Sequence, residues 1–307
     1  MFEIYQQTVS KPVTFEGIGL HSGKKSKMRI NSSEVNSGII FKRTDLNKNN
    51  EIEGIYKNVT SAKLCTTLEN KFGVKVSTVE HILAALYIVG IDNAIIEIDN
   101  EEAPIMDGSA KEFIEVLKKI GTKKLKEKRR YLKILNKVQL VEGKKEISIE
   151  PNQTFKVNFQ LNYKNKIIGN QKNSVNFSSD NLVQVYESRT FCLYEDIEKL
   201  KKIGLAKGGS LENAIVVDNE KILNKDGLRN DKEFVNHKIL DLAGDFMLSG
   251  FRVIGQINCY QGGHELTNIF LRKLLNLKSS SSIVEMNNLE ISKKIRPLHS
   301  ISIAASA

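Results

Sequence analysis

The stretch Phe234-Val235-Asn236-His237-Lys238-Ile239-Leu240-Asp241-Leu242-Ala243-Gly244-Asp245-Phe246-Met247-Leu248 decides how the rest of the chain is read. Val235, Ile239, Leu242 and Phe246 recur at helical spacing, with Leu240, Ala243 and Met247 beside them. A helix so apolar around its circumference is buried on most of its surface, and charged side chains are rarely buried without partners. Yet His237, Asp241 and Asp245 stand at i, i+4 and i+8 along one narrow line of it, with Lys238 next to that line. A buried ladder of His, Asp and Asp calls for a balancing cation. The first candidate is a metal held by His237 and Asp241.

At 307 residues the chain has room for two domains with sizeable cores, a single domain usually taking roughly 100–200 residues. A hydrophobic content of 40% with 27% charged residues is globular in character. No apolar run approaches the roughly 20 residues of a membrane-spanning helix. The start, Met1 to Gln7, lacks a basic n-region and an apolar h-region, so no signal peptide is expected. Cys65, Cys192 and Cys259 are odd in number and widely spaced, which speaks against a disulfide framework and for a reducing compartment. The expectation is a soluble cytoplasmic protein. A net charge of +10, in a chain with 4 prolines and no tryptophan, reads as a bias spread over the surface. Such a surface suits anionic partners in general: nucleic acid, anionic lipid or a phosphorylated small molecule.

Outward from the helix, residues 1–60 read as strands and turns. Gln7-Thr8-Val9, Val13-Thr14-Phe15, Lys27 to Ile30 and Gly38 to Phe41 are β-prone, and Gly17-Ile18-Gly19-Leu20-His21-Ser22-Gly23 is a glycine-punctuated loop. His21 is first of all a turn histidine, although the glycines around it leave the backbone open to a ligand. In Val76 to Leu86 a helix start is signalled by Ser77 or Thr78 as cap and Glu80 in the first turn. Glu80 and His81 diverge by about 100° on that helix and so approach one centre from different directions, as a general base beside a metal ligand must. The plainer reading of the pair is a capping glutamate and a half-buried histidine. Ile91 to Ile98 alternates like a strand, and Pro104 to Ser109 turns into a helix over roughly 110–120, with Asp107 and Ser109 as turn and cap residues. The run from Lys118 to Arg130 is basic and lacks the interleaved aromatics that stack on bases, so it reads as a boundary between two domains.

The second half opens like the first, with strands in 131–134, 137–141, 146–150 and 155–159. A helix opens near Asn181 and leads to Ser188-Arg189-Thr190-Phe191-Cys192. Asp196 to Ile203 is a short amphipathic helix with Ile197, Leu200 and Ile203 on one side, followed by Lys207-Gly208-Gly209-Ser210 and a strand at 214–217. Its stripe is ordinary core on the residues alone, with the wall of an acyl groove as the sharper reading. Val253 to Tyr260 is a strand ending in the loop Gln261-Gly262-Gly263-His264, from which a histidine can project into a cleft; a helix follows over 266–277. From Ser279 the chain loses periodicity, and Ala304 to Ala307 is expected to be loosely ordered.

Three of the five histidines carry these features. Zinc takes imidazole nitrogen and carboxylate oxygen, and a catalytic site keeps three protein ligands and one open position, a set that His81, His237 and Asp241 supply. Glu80 is then the base, and His264 an acid, biased towards its charged form by Asp245. No HExxH or CxxC pattern supports the assignment.

Several segments together are similar to the UDP-3-O-acyl-N-acetylglucosamine deacetylase (LpxC) family, which performs the committed step of lipid A synthesis for the lipopolysaccharide of Gram-negative bacteria. They are Gly19 to Gly23, Ser77 to His81, Pro104 to Ser109, Ser188 to Phe191, Gly208 to Ser210, His237 to Asp241 and Gly263-His264. The resemblance runs in order from about residue 5 to residue 277. It implies a zinc-dependent amidase acting on the N-acetyl group of UDP-3-O-[(3R)-3-hydroxyacyl]-N-acetylglucosamine. His81, His237 and Asp241 would hold Zn2+, Glu80 would be general base, His264 the acid, Thr190 the hydroxyl holding the oxyanion, and Asp245 the partner of the catalytic histidine. Phe191 and Lys238 would contact the sugar nucleotide, and His21 would lie near the substrate.

The resemblance also implies an α+β protein of two domains of similar topology, each a β-sheet layered against helices, with the active site at their interface. The domains would span 1–125 and 126–280, with a strand–helix–strand insert near 193–217 and a C-terminal tail over 281–307. Ile197, Leu200 and Ala206 of the insert would line the acyl passage. One departure is local: the family usually has Gly-Phe after Arg-Thr-Phe, and here Cys192-Leu193 follow. A nucleic-acid-binding protein using residues 118–130 and a non-catalytic homologue that only binds the sugar nucleotide are the competing classes. A monomer with no transmembrane segment and no nucleic-acid partner is expected, with surface basicity that also suits docking at an anionic membrane.

Overall fold

The computed structural model describes residues 3–286. Alternation drives the first half. β1 (Tyr5–Val9), β2 (Val13–Ile18) and β3 (Lys25–Ser32) are followed by β4 (Ile39–Arg43) and β5 (Glu51–Glu53). In β3, Ser26, Met28 and Ile30 are buried while Lys25, Lys27 and Arg29 face solvent, the period of two that covers one side of a sheet. β6 (Val59–Ser61), β7 (Thr67–Glu69) and β8 (Lys75–Val76) form a small separate sheet. Then come α1 (Glu80–Val89), β9 (Ala94–Ile98), α2 (Lys111–Ile120) and β10 (Thr122–Lys128). The main sheet of this half has the order β2-β3-β9-β4-β5, with β4 parallel to β9 and the other neighbours antiparallel.

The second half contains β11 (Arg130–Ile134), β12 (Val138–Glu142), β13 (Lys145–Glu150), β14 (Phe155–Asn162), β15 (Asn170–Asn176) and α3 (Val183–Tyr186). These lead to β16 (Phe191–Leu193), α4 (Tyr194–Lys202), β17 (Ile215–Asp218) and β18 (Lys221–Ile222). The half closes with α5 (Glu233–Met247), β19 (Arg252–Tyr260), α6 (His264–Asn276) and β20 (Ser281–Glu285). β19 is the spine of a seven-stranded sheet: β13 and β14 flank its C-terminal part and β11 its first residues. β16 and β17 pair in parallel across α4, a strand–helix–strand unit.

The class is α+β. At its centre α1 packs against α5 in the most extensive helix–helix contact of the molecule. Glu80 to Tyr87 of α1 are buried without interruption, and so is every residue of α5 except Lys238. Both helices are apolar nearly all round, as helices with sheet and helix on every side must be. Gly244 permits the approach: a Cβ there would overlap the backbone carbonyl of Glu80.

Three local expectations change. Neither Ser77 nor Thr78 caps α1, because the Ser77 hydroxyl donates to the Glu101 carbonyl and the Thr78 hydroxyl to Glu102. The basic run is ordered: α2 ends in exposed Lys118 and Lys119, and β10 then runs antiparallel along β1. The tail expected from 281 begins instead with β20, which pairs with β11. His264 is the first residue of α6 rather than part of the loop before it. The terminal residues Ala304 to Ala307 lie outside the described residues. Among the described residues, no helix is long and apolar enough to cross a membrane.

Candidate metal centre and active site

Three helix segments meet at one buried point. The start of α1 brings Glu80 and His81, the middle of α5 brings His237, Asp241 and Asp245, and the start of α6 brings His264; all six are buried. Asp241 Oδ1 lies 3.3 Å from His237 Nε2 and 3.5 Å from His81 Nε2. The ligating atoms of these three residues all fall within 4.8 Å of one another, and the two imidazole rings meet edge to face. Asp241 Oδ1 is buried with no hydrogen-bond partner, an arrangement proteins rarely leave without a ligand. On the other ring edge, His237 Nδ1 donates to the Ser188 carbonyl at 3.0 Å, since a carbonyl can only accept. That hydrogen bond fixes the tautomer and leaves the Nε2 lone pair for a metal. Two imidazoles and one ionised carboxylate fit a divalent ion such as zinc.

Electrostatics divide the cluster by task. Burial pushes the His237 imidazole down to about 3, so it stays neutral, the form that ligates. Burial alone would raise Asp241, but His237, Lys238 and His264 outweigh it and hold the carboxyl well below the usual range. Lys238 Nζ donates to Asp241 Oδ2 at 2.8 Å and lies 5.5 Å from the Phe191 ring centroid. Burial raises Glu80 and makes it a stronger base than an exposed carboxylate. One of its oxygens, Oε2, accepts the Thr66 N–H at 3.0 Å; the other, Oε1, faces His264 Nε2 at 3.8 Å. For His264, burial works against charge, but Asp245, Asp241 and Glu80 overcome it and carry the imidazole up to about 10. Its Nδ1 is 2.8 Å from Asp245 Oδ2, and its Nε2 is 3.7 Å from Asp241 Oδ2. A carboxylate made more basic thus lies 3.8 Å from an imidazolium beside the metal-type donor set, a pairing that suits proton transfer.

The other expected residues are placed as follows. Thr190 is fixed by its backbone, donating to the Gly108 carbonyl and accepting from Ile215 N–H, and Phe191 stands beside the His237 ring with 6.3 Å between centroids. His21 sits in the loop between β2 and β3, where burial lowers its imidazole against the opposing pull of Glu102. Ile197 and Leu200 are half-buried on α4 and Ala206 in the loop after it, so none of the three rides on the cluster-building helices.

Sequence reasoning missed two residues that brace this cluster. Thr66 gives its N–H to Glu80, and its hydroxyl donates to Asp245 Oδ1 at 2.6 Å, tying Glu80 to the carboxylate that holds His264. Glu233 is fully buried and accepts from the N–H and the guanidinium of Arg189 and from the N–H of Arg229, which holds the Ser188 segment against α5. Neither has a spacing signal for its main contact: Thr66 reaches Asp245 across 179 residues and Glu233 reaches Arg189 across 44.

An α+β fold whose central helices converge on a metal-type donor set, with a base and a charged histidine around it, defines a metal-assisted hydrolase. The sequence profile described as "LpxC: UDP-3-O-acyl N-acetylglycosamine deacetylase" matches residues 6–276. The chain is 41% identical over 273 residues to UDP-3-O-acyl-N-acetylglucosamine deacetylase of Syntrophotalea carbinolica, covering 89% of this chain and 88% of that one. It is 42% identical over 287 residues to the enzyme of that name from Shewanella frigidimarina, covering 92% and 94%, and 42% over 275 residues to that of Shewanella violacea, covering 89% and 90%. This chain belongs to the LpxC family.

Proposed function

We propose that this chain hydrolyses the N-acetyl amide of UDP-3-O-[(3R)-3-hydroxyacyl]-N-acetylglucosamine to UDP-3-O-acyl-glucosamine and acetate, the committed step of lipid A biosynthesis. The observation that carries the reading is the orphaned Asp241 Oδ1 between two imidazole nitrogens, with the Glu80–His264 pair beside it. His81, His237 and Asp241 are the residues to hold zinc. When bound, zinc supplies Lewis-acid polarisation of the amide carbonyl and lowers the pKa of water.

The chain's own groups supply the rest. Glu80 Oε1 takes the proton of the attacking water, because Oε2 is engaged by Thr66 while Oε1 faces the cluster. His264 Nε2 gives its proton to the departing amine, and Asp245 keeps that imidazole charged and oriented through Nδ1. The Thr190 hydroxyl supports the oxyanion. Lys238 and Phe191 contact the sugar nucleotide, a lysine serving as point charge for a diphosphate. His21 lies near the substrate, and Ile197, Leu200 and Ala206 line the acyl passage. The same reading divides the chain near residue 125 into two domains that share the site, and places a monomeric enzyme in the cytoplasm with its basic surface free to approach an anionic membrane.

The test is acetate release from the UDP-sugar by the purified chain, with zinc, without zinc and with chelator. Zinc-dependent release is expected. Protein loaded with about one zinc per chain that releases no acetate would overturn the proposal.

A further inference from the structure

Glu102 is a buried carboxylate, only 1% exposed, in the turn that follows β9. Among the described residues no lysine, arginine or histidine forms an ion pair with it. Three donors balance its charge instead. Glu102 Oε1 accepts the His21 N–H at 2.8 Å and the Thr78 hydroxyl at 2.9 Å, and Oε2 accepts the Ser22 N–H at 2.7 Å. Thr78 stands two residues before Glu80. Its φ of 57° is a left-handed conformation that a β-branched residue rarely adopts, and it directs the hydroxyl at Glu102. The loop packs closely on this carboxylate: a Cβ on Gly19 would collide with Glu102 Oε2 and with Ser22 Oγ.

The other side of the loop faces the segment after α4. The Leu20 carbonyl accepts Gly208 N–H at 3.0 Å and the His21 carbonyl accepts Lys207 N–H at 3.3 Å. The loop is thus clamped between the start of α1 and the residues next to Ala206. The imidazole it carries is unused, since both ring nitrogens of His21 are buried and without hydrogen-bond partners. No hydrogen bond of its own holds that ring, so the backbone contacts of the loop carry its position, and its nitrogens are left for a ligand.

We infer that Glu102 is a positioning residue for the substrate: by holding the His21 and Ser22 N–H groups against Thr78, it sets where the His21 imidazole meets the sugar nucleotide. The inference rests on the deacetylase reading above. Glu102 acts on binding more than on turnover, because the reacting groups have anchors of their own. Glu80 is held by Thr66, and His264 by Asp245. A buried carboxylate balanced only by neutral donors is costly, and a fixed geometry is a reason to keep one.

The experiment is steady-state kinetics of the zinc-loaded full chain with Glu102→Gln, His21→Ala and the double variant, alongside thermal unfolding. Glutamine keeps the shape but turns an NH2 group towards one donor N–H, that of His21 or that of Ser22, according to which oxygen it replaces. Losing charge-assisted bonds of this kind raises KM about tenfold or more, with kcat within about twofold. In the double variant KM rises no further than in His21→Ala alone, because both changes remove the same contact. Effects that multiply, or a lowered unfolding temperature with KM unchanged, would show the carboxylate to be structural only and overturn the inference. If Glu102→Gln does not fold, Thr78→Ala removes one donor and carries the same test; an unchanged KM overturns it as well. Acetate release by the wild-type chain is the control, since its absence would count against the deacetylase reading and not against Glu102.

Discussion

His264 Nδ1 lies 2.8 Å from Asp245 Oδ2, and Thr66 occupies the other oxygen of that carboxylate. Burial alone would leave this imidazole neutral at pH 7; Asp245, Asp241 and Glu80 raise it to about 10. As the acid, His264 must be protonated, so turnover should be lost on the alkaline side as pH rises through its pKa. A cation on Asp241 weakens one of the three raising influences, and the alkaline limb of the zinc-loaded enzyme should therefore lie below 10. Asp245→Asn removes the strongest of them. The limb should then move about 1–3 units further towards neutral pH, for the loss of one close opposite charge. A pH–rate profile checks this, and an alkaline limb that stays in place would remove His264 as the acid.

Glu80 and His237 differ in what they give up. Glu80 stands next to the ligand His81 without belonging to the cluster of ligating atoms. Glu80→Ala should lower turnover by about two to four powers of ten, the usual contribution of a positioned base, and retain the metal. His237→Ala removes a ligand whose Nδ1 is already committed to Ser188, and zinc content should fall with activity. Metal analysis alongside acetate release separates the two. A His237→Ala protein with full zinc would sink the ligand assignment.

How much of this was legible depends on sequence distance. His237, Asp241 and Asp245 share one helix, so their spacing alone placed them on a line, and the adjacency of Glu80 and His81 did the same for α1. Alternation revealed β3 and β14, each with one buried face. β20 was lost because most of its residues are only half-buried and no period stands out. The pairing of β1 with β10 joins segments more than 100 residues apart, which no local pattern reports. Thr66, Glu102 and Glu233 were unreadable for the same reason. The misjudged cap at Ser77 and Thr78 has a different cause: both hydroxyls are helix-capping types, and tertiary acceptors claimed them first.

Asp107 gives a stability prediction with a definite sign. Burial opposes its ionisation, but hydrogen bonds from Ser109 and Arg229 prevail and lower its pKa. A carboxyl lowered in the folded state contributes stability that is fully present above its unfolded value, near 3.8, and is lost as pH falls through the folded value. Asp107 Oδ2 accepts Arg229 Nη1 at 2.8 Å, joining the turn before α2 to the segment before α5. Asp107→Asn should cost about 1 kcal/mol at pH 7 after allowance for solvent screening. The difference from wild type should close as pH is lowered past the carboxylate range. Denaturant midpoints at neutral and acid pH test it, and a gap that widens on acidification would contradict the assignment.

The last prediction concerns the contact that assembles the site. Alanine is the better helix former by about 1 kcal/mol, so Gly244→Ala in the middle of α5 should stabilise the helix considered alone. In the molecule, the new methyl group would overlap the Glu80 carbonyl oxygen, stand 2.9 Å from its carbon and crowd Ala84 N at 3.1 Å. These are backbone atoms of a buried helix and cannot swing aside as a side chain would, so α5 must draw back from α1. Overpacking of this kind costs about 1–3 kcal/mol, enough to cancel or exceed the gain in propensity. The displacement also has a chemical consequence. Asp241 and His237 ride on α5 while His81 rides on α1, so the retreat separates one ligand from the other two. Gly244→Ala should therefore bind zinc more weakly, as well as unfold at lower temperature, although it changes no ligand. Zinc competition against a chelator measures the first effect and thermal unfolding the second. Weakened zinc binding with catalytic side chains intact would show that the α1–α5 spacing sets the metal site, and unchanged affinity would show that the ligands adjust independently of it.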